Sequence, residues 1–511
     1  MIRPVRLMTW NVNGLRAILQ REKKRNVQEL LDGLDVEIAC FQETKLTRSE
    51  MDEELVRPAG YDAFYSFSKV RSGYSGVVTF CKTGVVPTIA AEEGLTGMWK
   101  VDDSVGHVGT AHLELSAKLL NELESEGRCV ITDHQAFVLL NVYCPALASA
   151  DRLEYKLAFH ELLHDRVAAL QRAGRRVVVV GDINISHKEI DHCDPSPYHD
   201  GAFGDHPCRQ WMDRVVVPND PDQPQQEHKA GQLVDSFRHF HPTRTKAFTC
   251  WNMVTAARQT NYGTRIDYIL VDPELMDDSV VSCEIEPERT GSDHCPVVSK
   301  LVVQFDLDGE AGAKTASLCA RFYAEFSGKQ QTIKSYFAQP TADEDNQASE
   351  SRFLTYDSST SSSKKFKGGK QRSGQQSIMS FFAQPSKTNG VKKSVIVGSV
   401  KTTELPSSVP ESNYPQEIQS NPEWMMILGS KRKASEEEQN KWKQVLSGQP
   451  PKTPMCHCGQ PTVMRSVLKI NENWGRKFFV CTKPAGEKGN PDARCEFFQW
   501  ADQRGNKKQK R

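Results

Sequence analysis

No run of apolar residues in this 511-residue chain approaches the roughly 20 needed to cross a bilayer, so no membrane partner is expected. The stretch MIRPVRLMTWNVNG at the N-terminus carries neither an apolar h-region nor a small-residue cleavage site, and secretion is not expected. An excess of one charge is also missing. Lys+Arg and Asp+Glu both total 65, so net charge points to no class of partner, although the C-terminal GNKKQKR is locally basic. Apolar residues make up only 38%, which predicts a substantial unstructured part. There is no Gly-rich nucleotide loop and no GxSxG elbow, so kinase, ATPase and serine-hydrolase readings lack support. Most of the 14 cysteines stand singly inside apolar runs, as in Ile38-Ala39-Cys40-Phe41. That usage fits thiols in a reducing compartment, not a disulfide frame.

What is present divides into three regions. Through residue 305 short apolar runs recur: VRLMTWNVN, VEIACFQET, SGVVTFC, AFVLLNVYCP, RRVVVVGDIN, RIDYILVD and CPVVSKLVV. Their length and β-branched content predict buried strands. A helix is predicted after Pro145, opened by a capping box of Asp151 and Glu154 and closed by Gly174. Its apolar side is Leu153, Leu157, Leu163, Val167 and Leu170. Strands interleaved with helices argue for stacked α/β layers. From 306 to 450 periodicity disappears into linker chemistry such as DSSTSSSKKFKGGKQRSG. Order is expected again over 451–505, a segment too short for a core without a staple.

In the first region polar residues gather where apolar runs end, and strand ends are where α/β sheets collect reacting groups. Asn11 follows Trp10, Glu43 follows Phe41-Gln42, and Tyr143 follows Val142. Asp182 and Asn184 follow four valines and Gly181, Asp267 lies in RIDY, and Asp293-His294 lies in GSDHCPV. Singly each has a plain structural explanation: a turn, a surface charge, a core histidine. Together they supply what phosphodiester hydrolysis needs, namely neutralised phosphate charge, an activated water and a stabilised leaving oxygen. Glu43, helped by Asn13 or Asp293, offers hard oxygens to Mg²⁺. Asp182 can take a proton from water, with Asn184 holding that water or a phosphate oxygen. His294 paired with Asp267 is an oriented imidazolium, and Tyr143 can donate to phosphate.

The order WNVNG, QETK, NVYCP, GDIN, RIDY, SDH resembles the endonuclease/exonuclease/phosphatase superfamily. Within it, QETK, SGYSGVVTF, RLEY, DSFRHFHP and GSDHCPV are similar to class II AP endonucleases of the exonuclease III type. The resemblance covers residues 1–305. It implies a four-layered, DNase I-like sandwich of two mixed sheets flanked by helices, with one Mg²⁺-dependent site at which Mn²⁺ is the alternative ion. It further implies that Glu43 is a metal ligand, that Asp182 activates water, and that Asn11, Asn184 and Tyr143 position phosphate or water. Asp267–His294 would be the dyad and Asp293 a metal-side or orienting carboxylate. Two departures stand out. Asn13 replaces the acidic residue of the commoner WNxDG, and Thr264 stands where abasic-specific members place a large aromatic. Both predict 3′-end processing as the main activity, with weaker abasic-site incision. Trp251 either lines the pocket or belongs to the core.

Two further motifs lie outside this region. QQTIKSYFAQP and QQSIMSFFAQP share a spacing of Gln330, Ile333, Tyr336, Phe337 and Gln375, Ile378, Phe381, Phe382. One helical turn would give each a single apolar face, and both resemble the PIP box read by the sliding clamp, PCNA. Cys456, Cys458, Cys481 and Cys495 read as a tetrahedral Zn²⁺ site, with His457 as the substitute ligand because the first spacing is a tight C-x-C. Basic residues alternate with aromatics around the thiols, which suits single-stranded nucleic acid. GRKFFVC…CEFFQWAD is similar to the GRF-type zinc finger, a resemblance that implies single-stranded DNA binding. Arg476 and Lys477 are the expected DNA contacts, and most of the aromatics are expected in the miniature core. The whole predicts a nuclear repair nuclease acting on double-stranded DNA with abasic sites or damaged 3′ ends, with mitochondrial or cytoplasmic pools as alternatives. The competing readings are a clamp- and DNA-binding scaffold with a dead nuclease fold, and a phosphodiesterase acting on RNA.

Overall fold

Four consecutive valines, Val177–Val180, lie at the centre of the fold, and all are buried. Because a strand turns alternate side chains to opposite faces, such a run requires an apolar layer on each side. Val178 and Val180 enter one core while Val177 and Val179 enter another. The computed structural model that reveals this describes residues 2–147, 150–195, 202–218, 228–307, 314–326, 453–467 and 472–501. Both PIP-like motifs, at 330–337 and 375–382, lie outside the described residues.

The strands in chain order are β1 (Ile2–Asn11), β2 (Ile38–Gln42), β3 (Tyr61–Ser66), β4 (Val77–Lys82), β5 (Ala90–Glu93), β6 (Cys129–Asp133) and β7 (Val138–Tyr143). They continue as β8 (Val177–Asp182), β9 (Val234–Asp235), β10 (Cys250–Trp251), β11 (Gly263–Thr264), β12 (Asp267–Val271), β13 (Val280–Ile285) and β14 (Val297–Gln304). One six-stranded sheet runs β13-β14-β1-β2-β4-β3 and a second runs β5-β6-β7-β8-β12-β9. Each is mixed: β1–β2 and β7–β8 are parallel pairs among antiparallel neighbours. The sheets pack face to face through Val5, Leu7, Ile38 and Val77 from one and Val130, Leu139, Val178 and Ile269 from the other. Helices cover the outer faces, Leu15–Arg21 and Val27–Leu34 on the first, Leu153–Arg172 and Pro207–Val215 on the second. These are the expected α/β layers in four tiers.

Register carries the chemistry to one edge. Tyr143 pairs with Asp182 across the parallel β7–β8 ladder, and Asp182 pairs with Asp267 across the antiparallel β8–β12 ladder. Gly181 permits this closeness. A Cβ there would stand 1.9 Å from the Val142 carbonyl oxygen, at a φ of 136°.

Two local expectations are corrected. The helix after Pro145 runs Leu153–Arg172, but it is entered through a 3₁₀ turn at Ala150–Arg152, and its N-cap, Arg152, makes no side-chain cap bond. The expected capping box of Asp151 and Glu154 is therefore not the start of the helix. Its inward stripe also includes Lys156, His160 and Arg166, polar residues that the apolar period could not flag. Packing also continues past residue 305. Ala316 and Cys319 join the inter-sheet core, Ala320 and Tyr323 join the cluster under the first sheet, and Glu325 pairs with Arg48 at 2.8 Å.

Glu124 sits 6% exposed at the end of helix Ala117–Ser125, where its Oε1 accepts from the Leu95 N–H at 3.0 Å and its Oε2 has no partner. Burial pushes its pKa from the ordinary 4.5 up to about 7. Folding therefore favours the protonated carboxyl. The stabilisation is full below pH 4.5 and is lost as pH rises through 7, by about 3 kcal/mol at most. Glu124→Gln should match wild type in thermal midpoint at pH 5 and exceed it at pH 8. Equal midpoints at both values would mean that the carboxylate is ionised without cost.

Candidate active site

Asn11 ends β1 fully buried, and its amide nitrogen donates to Glu43 Oε1 at 3.1 Å and to Asp182 Oδ2 at 3.0 Å. A neutral donor thus spaces two carboxylates that would otherwise repel. The Asn11 Oδ1 accepts the Asn13 N–H at 3.1 Å, which bends the chain just after the strand. Asn13, Glu43, Lys45 and Asn184 all take left-handed backbone angles, with φ between 49° and 57°. Non-glycine residues avoid that region, and a cluster of them at strand ends marks a place where geometry is held against local preference.

One corner of the site gathers oxygen around positive charge. Lys45 Nζ lies 3.0 Å from Glu43 Oε2 and also donates to Asn13 Oδ1. Asn13 Nδ2 in turn donates to Asp293 Oδ1 at 2.9 Å, so Lys45 and Asn13 link Glu43 to Asp293. Burial opposes the charge of Glu43, but hydrogen bonds from Asn11 and Lys45 outweigh it and hold the carboxyl below its ordinary pKa. An ionised carboxylate with an amide oxygen beside it is a donor set for a hard divalent cation. Lys45 shows that a cation is accommodated there.

The opposite corner is a relay. Asp267 Oδ2 accepts from His294 Nδ1 at 2.8 Å and from the Thr249 hydroxyl at 2.6 Å. His294 Nε2 faces Asp182 Oδ2 at 3.9 Å. The Asp267 charge overcomes burial and raises the His294 pKa well above its ordinary value, so the ring is an imidazolium. Burial and the neighbouring Asp267 raise Asp182 to about 7. Its Oδ1 accepts the Asn184 N–H at 2.9 Å, while Asn184 Nδ2 donates to the Cys144 carbonyl at 3.0 Å. Tyr143 is kept protonated by burial and by the charges of Glu43 and Asp182, with Arg128 stacked 4.8 Å from its ring centroid. All nine nuclease-site residues singled out from sequence thus come together.

The sequence reading missed the braces. Lys156, 1% exposed, donates to the Pro145 carbonyl at 2.7 Å and the Asn184 carbonyl at 3.2 Å, tying together the loops that leave β7 and β8. Ser292 donates to the Asn11 carbonyl at 2.7 Å, and Thr249 fixes Asp267. Arg265, two residues before Asp267, forks onto Asp191 at 2.8 and 2.9 Å and onto Asp235 at 2.7 Å. Of these, Ser292, inside GSDHCPV, and Arg265, inside RIDY, lay in quoted motifs, whereas Lys156 and Thr249 carried no sequence signal. Trp251 is 3% exposed, donates to Asn261 Oδ1 at 3.0 Å and lies under Arg258, so it is a core residue.

In the C-terminal segment, β15 (Val463–Ser466), β16 (Lys477–Val480) and β17 (Phe498–Trp500) form an antiparallel sheet. The sulfurs of Cys456, Cys458, Cys481 and Cys495 lie within 4.8 Å of one another, and Cys456 and Cys481 are 3.7 Å apart. Four thiolates at about 2.3 Å around tetrahedral Zn²⁺ would stand about 3.8 Å apart, so the donor set fits zinc. His457, the alternative ligand, instead lies edge-on to Phe497 with ring centroids 5.5 Å apart. Arg476 stacks 3.8 Å from the Trp500 ring centroid, and Trp474 and Phe498 are 66% and 52% exposed.

Residues 8–294 match the Endonuclease/Exonuclease/phosphatase family, and residues 454–504 match the GRF zinc finger. The chain belongs to the endonuclease/exonuclease/phosphatase family. It is 36% identical to the DNA-(apurinic or apyrimidinic site) endonuclease 2 of Xenopus laevis, over 97% of this chain and 98% of that protein. The human protein of the same name is 35% identical over 97% and 99%. An exodeoxyribonuclease of Bacillus subtilis is 28% identical over 57% of this chain and 98% of its own length. The crystal structure of the Xenopus laevis APE2 catalytic domain superposes with a TM-score of 0.55 at 41% identity, covering 64% of this chain and all of that one. As a family member of the exonuclease III type the chain is a nuclease hydrolase, with a zinc finger behind the catalytic fold, and the family implies a divalent metal.

Proposed function

We propose that this nuclease repairs DNA by hydrolysing phosphodiesters to leave 3′-hydroxyl ends, chiefly as a 3′→5′ exonuclease and 3′-phosphodiesterase, with weaker incision at abasic sites. The observation that carries the reading is the placement of Asp182. A buried carboxylate with a pKa of about 7 stands between the amide of Asn11 and an imidazolium, ready to accept a proton at neutral pH. Asp182 takes the proton of the attacking water while Asn184 orients it. His294, held by Asp267, and Tyr143 donate to the phosphate oxygens as negative charge grows there. Glu43, Asn13 and Asp293 would hold Mg²⁺, or Mn²⁺ in its place, and the ion would neutralise the phosphate and the leaving oxygen. Asn13 brings no charge, which favours looser metal binding. Thr264, half-buried on β11 beside Cys250, offers no large aromatic surface for an extruded sugar.

The finger would grip single-stranded DNA through Arg476, Lys477 and the exposed Trp474 and Phe498. The motifs at Gln330–Phe337 and Gln375–Phe382 would recruit the enzyme to the sliding clamp, which places its work in the nucleus. The test is a 5′-labelled primer with one internal abasic site, annealed to a template and incubated with Mg²⁺. A ladder shrinking from the 3′ end is expected. A single short product ending at the lesion would overturn the order of activities.

A further inference from the structure

The finger's own ligands and aromatics leave one of its segments unexplained. Ala485, four residues beyond the ligand Cys481, is only 4% exposed and belongs to the core cluster of the nuclease fold, together with Trp251 and Ala257. Its backbone is bonded in both directions to the loop that follows β10. The Ala485 N–H donates to the Thr255 carbonyl at 2.9 Å, and the Ala485 carbonyl accepts from the Thr260 hydroxyl. Gly486 is needed for the fit, since a Cβ there would stand 2.6 Å from Ala493 Cβ and 3.1 Å from Thr260 Oγ1. Around this contact Arg465 donates to the Val254 carbonyl at 2.8 Å, and Lys246 pairs with Glu487 at 2.9 Å.

The loop that receives Ala485 is joined directly to the reacting groups. Trp251 N–H donates to the Asp293 carbonyl at 2.9 Å, and Cys250 forms a β-bridge with His294. From the same loop, Arg258 donates to the carbonyls of Ser292, Pro287 and Arg289, at 3.0, 2.8 and 2.7 Å, and so holds the segment that leads into Asp293 and His294.

We propose that residues 252–262 are a docking surface for the zinc finger, with Ala485–Gly486 as the inserted element, so that the finger is a fixed wall beside the catalytic dyad. A docked finger presents its nucleic-acid face at one span from His294, whereas a tethered one samples many. The proposal concerns the chain's own architecture and stands whether or not the order of activities proposed above is right.

A zero-length carbodiimide cross-link on the zinc-loaded full chain tests it. Lys246 Nζ and the Glu487 carboxyl are within reach and would join as an amide with loss of water, giving a defined cross-linked peptide by mass spectrometry. The peptide should be present in wild type and absent in Glu487→Gln. Thr260→Arg on the nuclease side and Ala485→Arg on the finger side should each lower its yield about tenfold or more, because an undocked tether restores only a low effective concentration. Zinc content measured on both variants separates undocking from a finger that has lost its fold. Absence of the peptide from zinc-loaded wild type, or an unchanged yield in both variants with zinc retained, would overturn the proposal.

Discussion

Asp182→Asn should lower kcat on a 3′-recessed DNA substrate by about 10³–10⁴-fold while leaving DNA affinity near wild type, the loss expected when a general base is removed, and should cost about 1–3 kcal/mol of stability for one buried donor left unpaired. Asn keeps the shape, but its single amide oxygen can accept from only one of the two donors that Asp182 serves with separate oxygens, Asn11 Nδ2 and the Asn184 N–H. What it cannot do is bind a proton. In wild type the carboxylate form is the active one, and its pKa of about 7 predicts a rate that climbs as pH rises from 6 to 8. The His294 imidazolium remains charged across that window, because Asp267 raises its pKa well above the ordinary value. In the variant that limb should flatten. Single-turnover cleavage at several pH values measures both effects at once. Residual activity within tenfold of wild type, with the pH limb retained, would assign the base to another group. Loss of activity together with loss of DNA affinity would point instead to a role in binding. If wild type also fails to cleave, the scaffold reading of the chain takes first place.

Arg265→Met should cost about 3–5 kcal/mol of stability, the penalty of stripping the partner from a buried carboxylate pair. Arg265 is 1% exposed, and both Asp191 and Asp235 lean on its guanidinium. Burial alone would raise the pKa of Asp191, yet the charges of Arg265 and Arg238 pull it down to about 2. Its ionised form is thus favoured by folding. The stabilisation is present above the ordinary value of 3.8 and is lost as pH falls through 2, so at pH 7 the variant forfeits a term that wild type holds in full. Adding Asp235→Asn to Arg265→Met should recover part of the loss, since it removes a charge left without its main partner. Urea midpoints of wild type, both single variants and the double variant give the cycle. A loss below 1 kcal/mol, or no recovery in the double variant, would show that water replaces the guanidinium without cost. Because Arg265 is two residues from Asp267, the variant should also lose activity at temperatures where it remains folded.

Much of this could be read directly from the chain. The valine run, the β-branched stretches and the placement of Asn11, Glu43, Tyr143, Asp182 and Asp267 at their ends specify buried strands with chemistry at one edge. Strand periodicity and end position are local properties that neighbouring residues impose on each other. The four-thiol set was legible for a similar reason, because a segment too small for a core must be stapled.

What only the tertiary structure decided is which distant groups meet. Asn11 reaches Asp182 across 171 positions and Asn13 reaches Asp293 across 280. Those meetings follow from two ladders being brought face to face, which no local pattern encodes. Lys156 hid inside a helix whose apolar period it interrupts, and its value lies in the carbonyls of two loops that it ties together. Ala485 belongs to no sequence motif, and only the fold bonds its backbone to Thr255 and Thr260. Sequence determined which atoms this protein could use for hydrolysis, since chemistry belongs to side chains. Packing decided how each is charged and aimed, since pKa and orientation depend on every group that surrounds them, however far away in the chain.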